Sequence, residues 1–468
     1  MNSTDLCFTP ALELASAIRS GDISPSDAVD AVLSRIEALE PKVNAMTVVM
    51  GEHAREAAKA AEQALADGVA LGPLHGVPVT IKDLFNIAGV PTESGSHTAA
   101  GNVPDVNSVF VDRLIEAGAI IVGKTTTSEF GWKAVSQSPL TGITSNPWRL
   151  GYNAGASSAG AGAGAAAGYG PLHQGSDGAG SIRLPSHFSG VYGIKPSFGR
   201  IPNWPVRNND QTSHSGPMTR TVSDGALMLN IMSGPHPWDH YSLEAQPERY
   251  HELLDGGVRG LKVAYSRDLG HARVDDEVAA LVDNAARTFS DLGADVEEIS
   301  PAWGPQGPDL IRFFWAAHEL ALAPLLEEWE DKMDPGLVAC IRSVEEASAT
   351  EYVHQRGLKL AYVEAIHRTF DTYDLLLTPS ASVAAFPAEK LMPDHWPGHD
   401  WDWLAWAEFS YPFNFSHNPA ASIPCGFTND GLPVGLQIVG PRMQDALVLR
   451  ASKAFEEAQP WADKRPAL

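Results

Sequence analysis

Apolar positions along this chain change period from one region to the next. Over the first 70 residues they recur at helical spacing. Ala28, Val29, Val32, Leu33, Ile36 and Leu39 share one helical face. Ser24 and Pro25 open that helix as cap and first residue, Asp27 adds favourable charge to its first turn, and Pro41 is expected to end it. Thr9 and Pro10 carry the same opening signal one helix earlier. A third, alanine-rich helix is predicted over 52–67, with Gly68 as its stop. The period then shortens to two: Val77, Val79 and Ile81 alternate with Pro78, Thr80 and Lys82, which predicts a strand. Further helices are predicted over 105–117 and 275–292, and mainly helix over 309–373. Strands are predicted over 119–123, 261–265, 296–299, 375–379 and 436–439. Residues 154–168 are so rich in Ala and Gly that they suit a helix pressed close against other backbone.

Helices and strands alternate throughout, so the fold class is α/β. With 468 residues, no internal repeat and no long linker, one large domain is expected. The net charge of −24 argues against a nucleic-acid surface, which needs clustered Lys and Arg. Three cysteines, Cys7, Cys340 and Cys425, form no CxxC pair and imply a reducing compartment without a disulfide framework. No signal peptide or membrane-spanning run is visible, and a cytoplasmic protein is the expectation.

The candidate chemistry lies where Gly and Ala crowd around two serines, Ser157 and Ser181, with Lys82 upstream at the end of a predicted strand. Serine needs a base to become a nucleophile. No Gly-x-Ser-x-Gly elbow and no His-Glu-x-x-His occurs, so an α/β-hydrolase triad and a zincin site lack support. Gly160, Gly162, Gly164 and Gly168 superficially suggest a dinucleotide loop, but no strand precedes them and no acidic residue follows at the required distance.

Taken together, these segments resemble the amidase signature family. GPLHGVPVTIKD at 72–83 is similar to its lysine motif, and residues 145–203 to its Gly/Ser-rich signature. GPMTR at 216–220, PFN at 412–414, NPA at 418–420 and GLPVGLQ at 431–437 are similar to later family segments, in the family's order. The resemblance covers nearly the whole chain. It implies one α/β/α domain, 1–468, around a central mixed, twisted sheet with helices on both faces. Its parts are an N-terminal helical segment (1–70), a catalytic core (71–235), a more variable pocket-forming region (236–410) and a C-terminal core segment (411–468). It implies a hydrolase of amide C–N bonds that needs no cofactor and no metal. Ser181 matches the acylated nucleophile, Ser157 the bridging serine that follows a cis peptide bond, and Lys82 the general base.

A neutral lysine amine can take a proton through Ser157 from Ser181, and Ser157 can return one to the departing amine. Lys82 must then be uncharged, which burial away from carboxylates would favour over its ordinary value of about 10.4. The adjacent Asp83 conflicts with that unless its side chain points away. The N–H groups of Gly178, Ala179, Gly180 and Ser181 are the expected oxyanion hole. Ala179 stands where the family usually has glycine, and Gly178 where a larger residue is common; Ala154, Ala156, Ala159 and Ala161 likewise dilute the Gly/Ser pattern. Ser158, Asp177 and Arg183 are expected to brace the loop. Lys124, Lys133 and Lys195 are rival lysines, and His75, His173 and His187 are expected to pack or cap rather than catalyse.

The chain has 12 tryptophans, four of them, Trp396, Trp401, Trp403 and Trp406, close together ahead of Phe409, Tyr411, Phe413 and Phe415. Either they form a core cluster or some of them line an apolar pocket. Phe130, Trp315, Trp403, Trp406 and Phe413 are the expected substrate-binding residues, with Phe313, Phe314 and His318 as a further wall. Such a pocket favours bulky or aryl amides, anilides or carbamates as the small-molecule partner of a monomer or homodimer. Two alternatives stand beside this reading: an amidotransferase A-type subunit that frees ammonia from glutamine with a partner, and a non-catalytic scaffold relative.

Overall fold

Eleven strands build one mixed sheet in the computed structural model, which describes residues 2–69, 71–206, 211–246 and 249–468. In chain order they are β1 (Met46–Val49), β2 (Pro78–Lys82), β3 (Ile120–Thr125), β4 (Leu172–Asp177), β5 (Tyr192–Lys195), β6 (His214–Thr219), β7 (Lys262–Tyr265), β8 (Asp295–Glu298), β9 (Leu375–Pro379), β10 (Ala420–Phe427) and β11 (Pro433–Val439). Across the sheet they run β1-β3-β2-β4-β6-β5-β10-β11-β9-β7-β8. β2 is parallel to both β3 and β4, whereas β6 runs antiparallel to β4. Both faces are covered. Neighbouring residues on a strand fall into different core clusters, as the two-residue period requires: Val263 and Ala264, Leu375 and Leu376, Ile438 and Val439.

The periodic helices form close to where the pattern puts them. In chain order, up to the wall of the site, they are α1 (Ser3–Phe8), α2 (Ala11–Ser20), α3 (Pro25–Val43), α4 (Gly51–Ala66), α5 (Val109–Glu116), α6 (Ala159–Ala167), α7 (Arg183–Ser189), α8 (Val222–Met232), α9 (Asp276–Asp291) and α10 (Gly307–Glu319). Ser24 caps α3 by accepting from Asp27 N at 3.0 Å. Three local expectations are corrected. α3 does not stop at Pro41 but runs on to Val43, and Asn44 ends it in the left-handed region. Thr9 does not cap α2; its hydroxyl donates to Asp5 O, and the carboxylate of Asp224 receives Ala11 N and Leu12 N instead. The helix predicted from residue 105 begins only at Val109.

The Ala/Gly helix α6 anchors the site. A Cβ on Gly160 would sit 2.1 Å from Ala45 O and 2.5 Å from Thr126 N. No side chain fits there, so the helix lies directly on the backbone that flanks β1 and β3, and its N-terminus is fixed close to the end of β2.

Candidate active site

Lys82 closes β2 and is fully buried. Its Nζ lies within hydrogen-bond distance of three hydroxyls, Ser157 Oγ at 2.7 Å and Ser158 Oγ and Ser176 Oγ at 3.0 Å each. The Ala156–Ser157 peptide bond is cis, as the resemblance implies. Ser158 Oγ donates to Ser176 O and accepts from Ser176 N, both at 3.1 Å, which ties the start of α6 to β4. Asp83 is turned away from the serines and pairs with Lys124 at 2.7 Å. The rival lysines are engaged elsewhere: Lys124 also donates to Pro91 O, Lys133 pairs with Asp334, and Lys195 donates to Asn418 O.

The loop between β4 and α7 carries Ser181, which is 3% exposed, as is Ser157. Ser158 N donates to Ser181 O at 3.3 Å, so the two serine segments lie against each other. The loop is braced by a buried ion pair. Arg183 Nε donates to Asp177 Oδ2 at 2.9 Å and its Nη2 to Oδ1 at 2.8 Å. Arg183 also reaches Ser410 O, Gln437 Oε1 and Asn414 Oδ1. Burial pushes the Asp177 carboxyl upward, but Arg183, Lys195 and Asn414 more than offset this and hold it well below the usual carboxylate range.

Asp177 corrects one part of the expected oxyanion hole. Gly180 N donates to Asp177 Oδ1 at 2.7 Å, so that N–H is turned away from a reacting carbonyl. The N–H groups of Gly178, Ala179 and Ser181 remain. Gly180 has φ 128°, which only glycine adopts readily, whereas Ala179 keeps a negative φ and presents its N–H as a glycine would.

The expected aromatic wall separates into two layers. Trp315, on α10, lies over the loop: a Cβ on Gly178 would be 3.6 Å from its indole. Phe130 has φ 50°, and the following Gly131 stands against Ser157, its Cβ position 3.0 Å from Ser157 Oγ. Trp403, Trp406 and Phe413 are corrected to core residues. All three are fully buried. Trp403 Nε1 donates to Trp132 O at 2.8 Å and Trp406 Nε1 to Leu391 O at 3.1 Å, while Phe413 meets the edge of Trp303. Trp403 backs Trp315 and Trp406 backs Trp403, instead of facing a ligand. His75, His173 and His187 bond backbone carbonyls of Ala61, Gly170 and Val383, as packing residues do. Among the described residues no group of His, Cys, Asp and Glu is arranged to hold a metal, and no helix is long and apolar enough to cross a membrane.

A family model for amidases matches residues 27–449. The chain belongs to the amidase signature family. The amidase is 40% identical over its whole length to an acylamidase of Rhodococcus erythropolis, covering 99% of that protein. It is 34% identical, over 99% of both chains, to the A-type subunit of the glutamyl-tRNA(Gln) amidotransferase of Moorella thermoacetica. A bacterial aryl acylamidase of known structure superposes with a TM-score of 0.91 at 30% identity, covering 97% of each chain. The protein is a hydrolase of amide C–N bonds.

One carboxyl in the wall of this amidase has a measurable consequence. Glu319, at the end of α10, is 4% exposed. Burial, with Glu129 nearby, pushes it up to about 8. The folded protein therefore keeps a proton that the unfolded chain releases above about pH 4.5, so this residue lowers stability as the pH climbs towards 8. Glu319→Gln is expected to stabilise the protein by roughly 4–5 kcal/mol above about pH 8, and by almost nothing near about pH 4. Thermal melts of both proteins across this range check it; a difference that does not change with pH would contradict the assignment.

Proposed function

We propose that this amidase hydrolyses bulky and aryl amides through an acyl-enzyme on Ser181, with Ser157 as bridge and Lys82 as base. The observation that carries the reading is the contact of a fully buried Lys82 Nζ with Ser157 Oγ at 2.7 Å, beside the loop that presents Ser181. Burial favours the neutral amine, and the Asp83 carboxylate next to it in sequence is engaged by Lys124.

In the first half-reaction Ser181 Oγ attacks the carbonyl carbon while its proton passes to Ser157 and the proton of Ser157 to Lys82. The N–H groups of Gly178, Ala179 and Ser181 hold the developing oxyanion. Ser157 then donates a proton to the nitrogen, Lys82 replaces it, and the C–N bond breaks. An unprotonated amine is a poor leaving group, so this return of the proton is essential. Water, activated by the same relay in reverse, attacks the Ser181 ester and releases the acid.

Trp315 against the loop gives the site an aromatic surface, and aryl or bulky groups bury more apolar area there than a methyl group does. The aryl acylamidase of similar structure and the acylamidase relative support the same substrate class. The expected result is a kcat/KM for an acyl anilide at least about a hundredfold above that for acetamide, about 3 kcal/mol of binding energy. A preference for acetamide would overturn the substrate assignment. The identity to amidotransferase A-type subunits favours a second reading, release of ammonia from glutamine with a partner. Anilide hydrolysis by the isolated chain excludes a requirement for that partner. Labelling by a fluorophosphonate, read by intact mass, separates both from a scaffold.

A further inference from the structure

The Ala179–Gly180 peptide plane stands between two N–H groups assigned to the oxyanion hole, those of Ala179 and Ser181. Its own N–H donates to Asp177 Oδ1 at 2.7 Å. The bond is trans, so its N–H and C=O lie on opposite edges of the plane. At the other edge, Ala179 O receives the hydroxyl of Ser410 at 2.5 Å.

Ser410 is fully buried, just ahead of the short helix Pro412–Phe415. Its Oγ also lies 2.9 Å from Ala407 O, but that oxygen already receives Ser410 N at 3.2 Å. Ala179 O receives no main-chain N–H among the described residues, so the Ser410 hydroxyl is what satisfies it. Both holds on the plane are tied to one side chain. Arg183 grips Asp177 through Nε and Nη2, and its Nη1 donates to Ser410 O at 2.8 Å.

The plane needs two holds because of Gly180. With φ 128° this residue sits where glycine moves freely, and a plane held at one edge can still rock about it. Neighbouring planes share a Cα, so rocking would re-aim the N–H groups on either side. A Cβ on Gly180 would lie 2.6 Å from Ser410 Oγ, so the hydroxyl stands directly against this hinge. We propose that Ser410 is a positioning residue of the oxyanion hole. Its hydroxyl and the Asp177 carboxylate clamp the Ala179–Gly180 plane from both edges and keep the N–H groups of Ala179 and Ser181 aimed at the reacting carbonyl. The inference rests on the reading of Ser181 as nucleophile and of its loop as the oxyanion hole.

The test compares Ser410→Ala with Ser416→Ala in the full chain. The Ser416 hydroxyl is buried as well, but donates to Pro412 O at 2.9 Å, outside the hydrogen bonds of the loop. Ser410→Ala is expected to lower kcat on an acyl anilide by about 10–100-fold and to keep KM within about threefold. A trifluoromethyl ketone built on the same acyl group supplies a second readout. Ser181 Oγ adds to its carbon, the serine proton passes to the relay, the carbonyl oxygen becomes the oxyanion, and no group leaves. Its affinity is expected to fall by the same factor as kcat. Ser416→Ala is expected to leave both within about twofold. Rates are taken well below the melting temperature of each protein. Ser410→Cys, whose thiol donates weakly, replaces the alanine variant if that one does not fold, with a smaller loss in the same direction.

An unchanged kcat in the Ser410 variant overturns the proposal. So does a lower kcat with unchanged ketone affinity, a rise in KM that accounts for the whole loss, or an equal loss in Ser416→Ala, since loosened packing gives each of these. If the ketone forms no adduct with the wild-type protein, the acyl-enzyme reading falls, and this inference with it. If the adduct forms and the Ser410 variant binds the ketone as tightly, only this inference falls.

Discussion

Ser181→Ala is expected to lower kcat on any accepted amide by at least about 10⁴-fold while leaving the melting temperature within a few degrees. In the proposed mechanism Ser181 Oγ is the atom that bonds to the substrate carbon. The variant keeps the N–H groups of the loop, so binding survives where chemistry does not. Ser157→Ala is expected to be slower than wild type by about 10²–10⁴-fold, a smaller loss. Lys82 then keeps Ser158 and Ser176 at 3.0 Å, which hold the amine in place without a proton path to Ser181. The measurements are steady-state rates on one anilide, fluorophosphonate labelling and thermal melts. Equal rates in Ser181→Ala and wild type would end the assignment of the nucleophile.

The second large effect is on the fold. Arg183→Met is expected to destabilise the protein by about 3–5 kcal/mol. Arg183 and Asp177 are both without exposure, and the substitution strands a buried carboxylate together with Gln437, Asn414 and Ser410 O. Asp177→Asn leaves the opposite charge stranded and loosens the bond from Gly180 N, so it is expected to lower kcat as well. Combining the two substitutions removes both charges. The double variant should therefore be more stable than the sum of the single losses predicts, by about 1–3 kcal/mol. Denaturant unfolding of the four proteins measures this coupling, and strict additivity would show that the pair does not act as a unit.

Periodicity carries information for elements with one buried face and loses it where both faces of a strand are buried. The outer helices and the strands rich in Val, Ile and Leu are legible in the sequence. β4 and β6, the centre of the site, are not. Their sequences, LHQGSD and HSGPMT, mix polar residues, Gly and Pro, and show no alternation. Gln174 and Ser176 are buried because they bond Lys82, and Asp177 because it braces the loop that carries Ser181, not because the strand pattern asks for them. β1 hides within a segment of helices because it is only four residues long. At the site, Lys82, Ser157 and Ser181 are marked by the crowding of small residues and by the family's order of motifs. Ser176, the third hydroxyl on Lys82, escapes the sequence reading, although its place in Gly175-Ser176-Asp177 beside a predicted bracing residue is a signal. The tryptophans mislead because aromatic crowding looks the same in a core as in a pocket.

The seam at Gly160 reaches beyond geometry. Lys82 and Ser157 are mounted beside a backbone-to-backbone contact, where an added side chain has no room, while α10 reaches the loop through side chains such as Trp315. A substitution at Gly160 has to move main chain; one at Trp315 has only side chains to displace. Substrate choice can therefore be re-engineered from α10 while the groups proposed to cut the bond stay where they are.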